Sequence, residues 1–234
     1  MMDRIERQQT KPALITLIVI GLALLAIPAT AAEQAVHGLP GDWLSRYASA
    51  RGVGLGGATV AVADEPFSAL WNPAGLSWLR QNELQVGSVQ LFDDTSINGL
   101  GYARPSSSIP SFGFNLLSLK SGEFERTNEL NETLGTFDEG DMVMALTVAQ
   151  ALSPDWSIGA NLKLARQEIE DFSGSGMGVD LGVMGRIVKD LRFGASVLNL
   201  GGPTITLRDK DESYPTELRG GLALAMLGGN GLVS

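Results

Sequence analysis

The stretch WSIGANLKLARQEIE, Trp156 to Glu170, alternates with a period of two. Ile158, Ala160, Leu162 and Leu164 fall on one side of an extended chain, and Gly159, Asn161 and Lys163 on the other. Successive side chains of a strand point to opposite faces, so this pattern predicts a strand with one apolar and one polar face. The next segment repeats it, with Met177, Val179, Leu181, Val183 and Ile187 against Gly178, Asp180, Gly182 and Arg186. A slip of one residue would exchange the two faces, so the alternation also constrains register.

Working outward, the same texture predicts strands at 83–92, 96–104, 111–120, 141–150, 156–170, 176–188, 191–200 and 216–227. Ser153-Pro154-Asp155, Val188-Lys189-Asp190 and Phe172-Ser173-Gly174-Ser175 read as tight turns. Ser121 to Gly140 and Gly201 to Pro215 are longer and richer in charge. The expectation is an all-β, antiparallel sheet of roughly eight strands over 81–234. Short turns at one end and long loops at the other fit a bacterial membrane barrel, although the turn after Phe172 breaks the alternation.

Composition narrows the function. Lys+Arg 17 against Asp+Glu 26 gives a net charge of -9, which argues against a nucleic-acid partner. There is no Cys and a single His, His37, so thiolate and multi-histidine metal sites are excluded and no metal or other cofactor is expected. Glycine is abundant, at 29 residues, which suits tight turns and closely packed strands.

The N-terminus reads as an address. Arg4, Arg7 and Lys11 precede an apolar run from Ala13 to Ile27, and Ala29-Thr30-Ala31 follows. These are the parts of a cleavable signal peptide over 1–31. The run of about 15 residues is short of the about 20 that a spanning helix needs. Residues 32–80 form a different, mixed segment. Trp43 to Ala50 predicts a short helix, and glycines 52, 54, 56 and 57 precede the small apolar run Ala58 to Ala63. Asp64 is expected to cap a second helix with Pro66 in its first turn, running to about Trp71 and ended by Asn72-Pro73.

Barrel and sandwich both alternate. Several predicted strands reach ten residues, near the about 9–11 that cross a bilayer at a tilt. Their polar face carries Gly, Ser and Asn with few charges, as a lumen would. Tyr102, Trp156, Phe172 and Phe193 sit near strand ends, where an aromatic girdle would lie.

The head segment carries a resemblance. ARGVGLGGA, Ala50 to Ala58, leads through AVADE, Ala61 to Glu65, to WNPAGL, Trp71 to Leu76. This resembles the N-terminal signature of the PorV/PorQ-type outer-membrane proteins, within a wider group similar to the FadL-like fatty-acid transporters. Glu65 stands where that pattern has a second Asp. Residues 50–76 carry the match, and the rest agrees in texture alone. The resemblance implies a transmembrane β-barrel of about fourteen strands with the N-terminal segment as a plug inside it. It implies an outer-membrane location and lipid as a partner. It implies either a role in a type IX-like protein secretion apparatus, holding secreted cargo proteins, or transport of hydrophobic small molecules. An envelope β-sandwich with a structural role is the alternative from a different class. Against about fourteen strands, the roughly eight here and the ending at Gly231-Leu232-Val233-Ser234 lead us to expect a C-terminally truncated, incomplete barrel.

The plug motif, Gly54, Gly56, Gly57, Asp64, Asn72, Pro73 and Gly75, is expected to be structural. The glycines would pack closely against the inner wall, Asn72 would bond neighbouring backbone, and Pro73 would fix the turn. Asn161, Lys163, Asp180 and Arg186 are expected to face the lumen as a mutually satisfying network. No catalytic residue is expected. Gly52 to Gly57 matches G-x-G-x-x-G formally but lacks the βαβ setting of a dinucleotide site. Asp93-Asp94 and Glu168-Glu170-Asp171 read as solvated loop edges. A Ser/His/Asp triad is not expected, since His37 lies close to the cleavage site.

Overall fold

Long runs of alternating residues become long strands, and the head segment becomes short helical turns packed on their polar face. The structure, a computed structural model, describes residues 41–62, 64–92, 94–170, 172–207, 210–226 and 231–233. The expected signal peptide lies outside the described residues. The described chain belongs to one compact unit, Leu39–Ser234.

Two short α-helices open it, α1 (Asp42–Tyr47) and α2 (Ala50–Gly54). The Ser49 hydroxyl caps α2 by accepting from the Gly52 amide at 2.9 Å. Two 3-10 turns follow, η1 (Pro66–Leu70) and η2 (Pro73–Trp78). Each begins at a proline, whose missing N–H is no loss at that position. The expected cap at Asp64 is corrected. The cap position of η1 is Glu65, which makes no side-chain cap, and Asp64 pairs with Arg51 instead. The turn is 3-10 rather than α-helical, and the Asn72 side chain caps η2 by accepting from the Ala74 amide at 3.1 Å.

The rest is mostly antiparallel β. The strands are β1 (Glu83–Gln90), β2 (Ser96–Arg104), β3 (Ser111–Lys120), β4 (Phe124–Thr127), β5 (Thr133–Phe137), β6 (Glu139–Ser153), β7 (Trp156–Ile169), β8 (Phe172–Val188), β9 (Leu191–Leu200), β10 (Thr204–Leu207), β11 (Lys210–Ser213), β12 (Glu217–Met226) and β13 (Gly231–Val233). One nine-stranded sheet runs β1-β2-β3-β6-β7-β8-β9-β12-β13. Its end strands, β1 and β13, are not paired with each other, so the sheet is open among the described residues. The eight expected strands are all present.

Two expectations fail. The turn expected at Phe172–Ser175 is strand: Phe172 already pairs with Ile169, and the chain reverses after Ile169, with Glu170 at a positive φ of 55°. The two long connections, expected as loops, each hold a hairpin, β4–β5 and β10–β11. Both excursions leave from the same end of the sheet. At the opposite end β6–β7 and β8–β9 are joined by two-residue turns.

Burial follows the alternation in an unusual sense. On β7 the buried residues are Ser157, Asn161, Lys163, Ala165 and Gln167, while Ile158, Leu162 and Leu164 are exposed. On β8 Asp180 is buried and Met177, Val179 and Leu181 are exposed. Register joins the exposed and half-buried residues of this apolar face into rows, such as Phe114–Leu146–Leu162–Val179 and Leu116–Met144–Leu164–Met177. The covered face packs on the head segment: Phe67, Leu70 and Trp71 cluster with Leu117, Val143 and Ala165. Ile205 of β10 and Tyr214 join the same cluster.

Candidate functional site: the plug seat and its buried polar network

The 3-10 turns expose carbonyls that no regular helix would satisfy, and the wall supplies donors for them. Asn115 of β3 donates to the Pro66 carbonyl at 3.3 Å and Asn161 of β7 to that of Ala69 at 2.8 Å. Ser196 of β9 donates to the Trp71 carbonyl at 2.7 Å and Ser157 of β7 to that of Ala74 at 3.0 Å. The Trp78 indole N–H in turn donates to Ser157 Oγ at 2.7 Å. From the plug, the Asn72 amide donates to the carbonyl of Val60 at 2.7 Å and to that of Val183 at 3.1 Å. On β1, Gln85 accepts from the Phe67 amide at 3.1 Å and donates to Glu65 at 2.8 Å.

Glycines on the covered face make the approach possible. A Cβ on Gly159 would stand 2.4 Å from the carbonyl carbon of Pro73, and one on Gly182 2.2 Å from Asn72 Oδ1. On Gly194 it would stand 2.1 Å from the Val60 carbonyl oxygen. The close packing expected of Gly54, Gly56 and Gly57 is therefore corrected. A Cβ at any of the three would meet nothing within 4 Å. Gly56 and Gly57 are set instead by their left-handed backbones, φ 62° and 82°. Pro73 and Gly75 are buried in η2.

Behind the plug lies the ion pair Lys163–Asp180 at 2.9 Å, with the two residues 2% and 0% exposed. A buried charge survives only when paired and hydrogen-bonded. Asp180 also accepts from the Asn161 amide at 3.0 Å and the Asn199 backbone N–H at 2.8 Å. Lys163 donates to Asn199 Oδ1, and Asn199 donates to the Pro215 carbonyl at 2.9 Å. The network thus ties β7, β8 and β9 to the plug and to the segment before β12. Arg186 does not belong to it. It lies further along the same face, at the short-turn end, 3.2 Å from Asp155 and over the Trp78 ring.

At the other end, Tyr214 packs against Leu44 and Ala48, so closely over Gly41 that a Cβ there would overlap its ring. Burial, with the Asp141 charge second, raises the Tyr214 phenol above its ordinary range and keeps it neutral. A cavity of about 300 Å³ opens beside β1, lined among others by Ser49, Glu65, Phe67, Gln85 and Ile97.

Sequence reasoning missed Asn115, Ser157, Ser196 and Asn199. The first three share one signal: a polar residue in the glycine-bearing row of an alternating strand. Asn199 carried no such signal, since it sits at a positive φ of 58° at a strand end. Among the described residues no group of three or more His, Cys, Asp or Glu side chains gathers to hold a metal ion. Comparison with known proteins finds no family model and no curated protein that matches this chain.

Proposed function

We propose that this chain is the wall and plug of an outer-membrane β-barrel protein that works without chemistry, as a plugged holding component of a protein secretion apparatus. The observation that carries the membrane reading is the inverted burial. The apolar face of β6, β7 and β8 is exposed, with Leu162 at 47%, while the polar face is covered. In water such a face would be an interaction liability, and in lipid it is the stable choice. The strand lengths support it too. β6, β7 and β8 have 15, 14 and 17 residues, beyond the about 9–11 needed to cross a bilayer.

The holding role rests on the resemblance of residues 50–76 and on the firmness of the plug. Five wall side chains, Gln85, Asn115, Asn161, Ser157 and Ser196, bond its backbone, which favours a fixed stopper over a gate. The test is to express the chain with its leader and fractionate the cells, then run an unheated detergent gel. Outer-membrane recovery with a faster-migrating unheated band supports the barrel. Soluble periplasmic recovery, both of this chain and of a version extended by further strands, would sink it in favour of a sandwich. Within the barrel reading, secretion predicts that exported proteins co-purify with the chain after cross-linking, and their absence counts against that role.

A second reading, passage of hydrophobic small molecules, is favoured by the cavity beside Phe67 and Ile97. It predicts that organic extraction of the purified protein releases a bound amphiphile, and an empty extract would weaken it.

A further inference from the structure

Two arginines stand directly opposite each other near the short-turn end of the sheet. Arg186 of β8 and Arg192 of β9 are Cα partners in register. Both guanidinium groups lie over the ring of Trp78, at 5.3 and 5.4 Å from its centroid. Like charges directly opposite on one face of a sheet destabilise it unless something neutralises them. The acids nearby are already engaged: Asp155 takes Arg186 at 3.2 Å, and Asp64 takes Arg51. Arg192 also feels the negative charge of Asp64 and, more weakly, the positive charge of Arg80, two residues past Trp78. Arg192 is partly buried, has Trp78 as its neighbour and, among the described residues, has no carboxylate in ion-pair contact.

The geometry points to an anion site at this mouth: we propose that Arg186 and Arg192, register partners that both reach the Trp78 ring, clamp a phosphate group of a small soluble molecule. Guanidinium forks match phosphate oxygens two at a time, and two adjacent forks offer more donors than one carboxylate can accept. Trp78 holds both forks by its ring and has no acceptor to take up their N–H groups, while its own N–H donates to Ser157. Lipid headgroups are the wrong source, because these side chains point to the plug-bearing face and away from the apolar one. The inference does not depend on a membrane location.

The test uses the full chain, purified as it is expressed, with inorganic phosphate as the probe. Thermal unfolding is followed at low ionic strength against phosphate, acetate and chloride at matched ionic strength. Phosphate is expected to raise the midpoint saturably and more than either other anion. Arg192→Gln is expected to weaken the apparent phosphate affinity roughly tenfold, the loss of one charged hydrogen-bonding partner. Without phosphate, Arg192→Gln should unfold no earlier than the parent, because it removes a repulsion. Equal stabilisation by chloride would reduce the effect to screening and overturn the site, as would an unchanged phosphate response in Arg192→Gln. If that variant fails to fold, Arg192→Lys retains the charge without the fork. It should bind phosphate more weakly than the parent, and equal binding would also overturn the clamp.

Discussion

Gly182 shows how much of this molecule is set by single atoms. The Asn72 side chain lies where its Cβ would be, 2.2 Å away. Gly182→Ala is expected to destabilise the protein by about 1–3 kcal/mol, the usual cost of overpacking. Gly220→Ala, where a Cβ meets nothing within 4 Å, is expected to change little. Urea unfolding in detergent, compared between the two variants, checks this; equal losses would show that the seat is not tight. Lys163 and Asp180 set the second residue-scale expectation. Lys163→Met leaves a buried carboxylate, and Asp180→Leu leaves a buried ammonium, each at about 3–5 kcal/mol. The double variant should recover part of that loss, since no lone charge remains, and a strictly additive loss would mean the pair is not coupled.

At the scale of elements, the expected strands were legible because their alternation is imposed by a face that must be covered. In β7 every second residue from Ser157 to Gln167 packs inward, so the pattern survives in the sequence. β4 and β5 are almost wholly exposed, so no face constrains their residues and no period marked them. The start of β8 was read as a turn because Ser173, Gly174 and Ser175 look like one. Its pairing with Gln167 and Glu168 across the sheet overrides that local preference. The Lys163–Asp180 pair was legible as two charges in the polar rows of alternating strands, whereas the seat for η2 was not. Glycines 159 and 182 look like weak strand residues until the backbone of the plug is laid against them. The same element carries a sharp expectation about its outer face. Leu162→Arg should impair recovery in the membrane by about 2–4 kcal/mol if that face meets lipid. If the face meets water, the variant should be as stable as the parent and less prone to aggregate. Comparing membrane yield and soluble stability of Leu162→Arg separates the two.

For the whole molecule, the lack of any Cys makes each introduced one unique. Leu130→Cys lies at the end of the sheet that carries the long excursions, and Asp155→Cys at the end with the two-residue turns. A water-soluble maleimide should label Leu130→Cys on intact cells, but Asp155→Cys only after the outer membrane is opened. Leu162→Cys and Val179→Cys, on the exposed apolar face, should resist labelling in both conditions. Labelling of Val179→Cys on intact cells would mean that the face is wet, and the membrane reading would fall. The plug's hydrogen bonds have a further consequence, one of order in time. Its partners lie far along the chain, 83 residues away for Ala74 with Ser157, 92 for Ala69 with Asn161 and 125 for Trp71 with Ser196. The strands from β6 to β9, by contrast, join neighbours through two-residue turns. Loop closure over such distances is slower than zipping a hairpin. A segment made before the strands that hold it is therefore the last to find its place. During assembly the growing sheet is the template, and the head segment is cast against it.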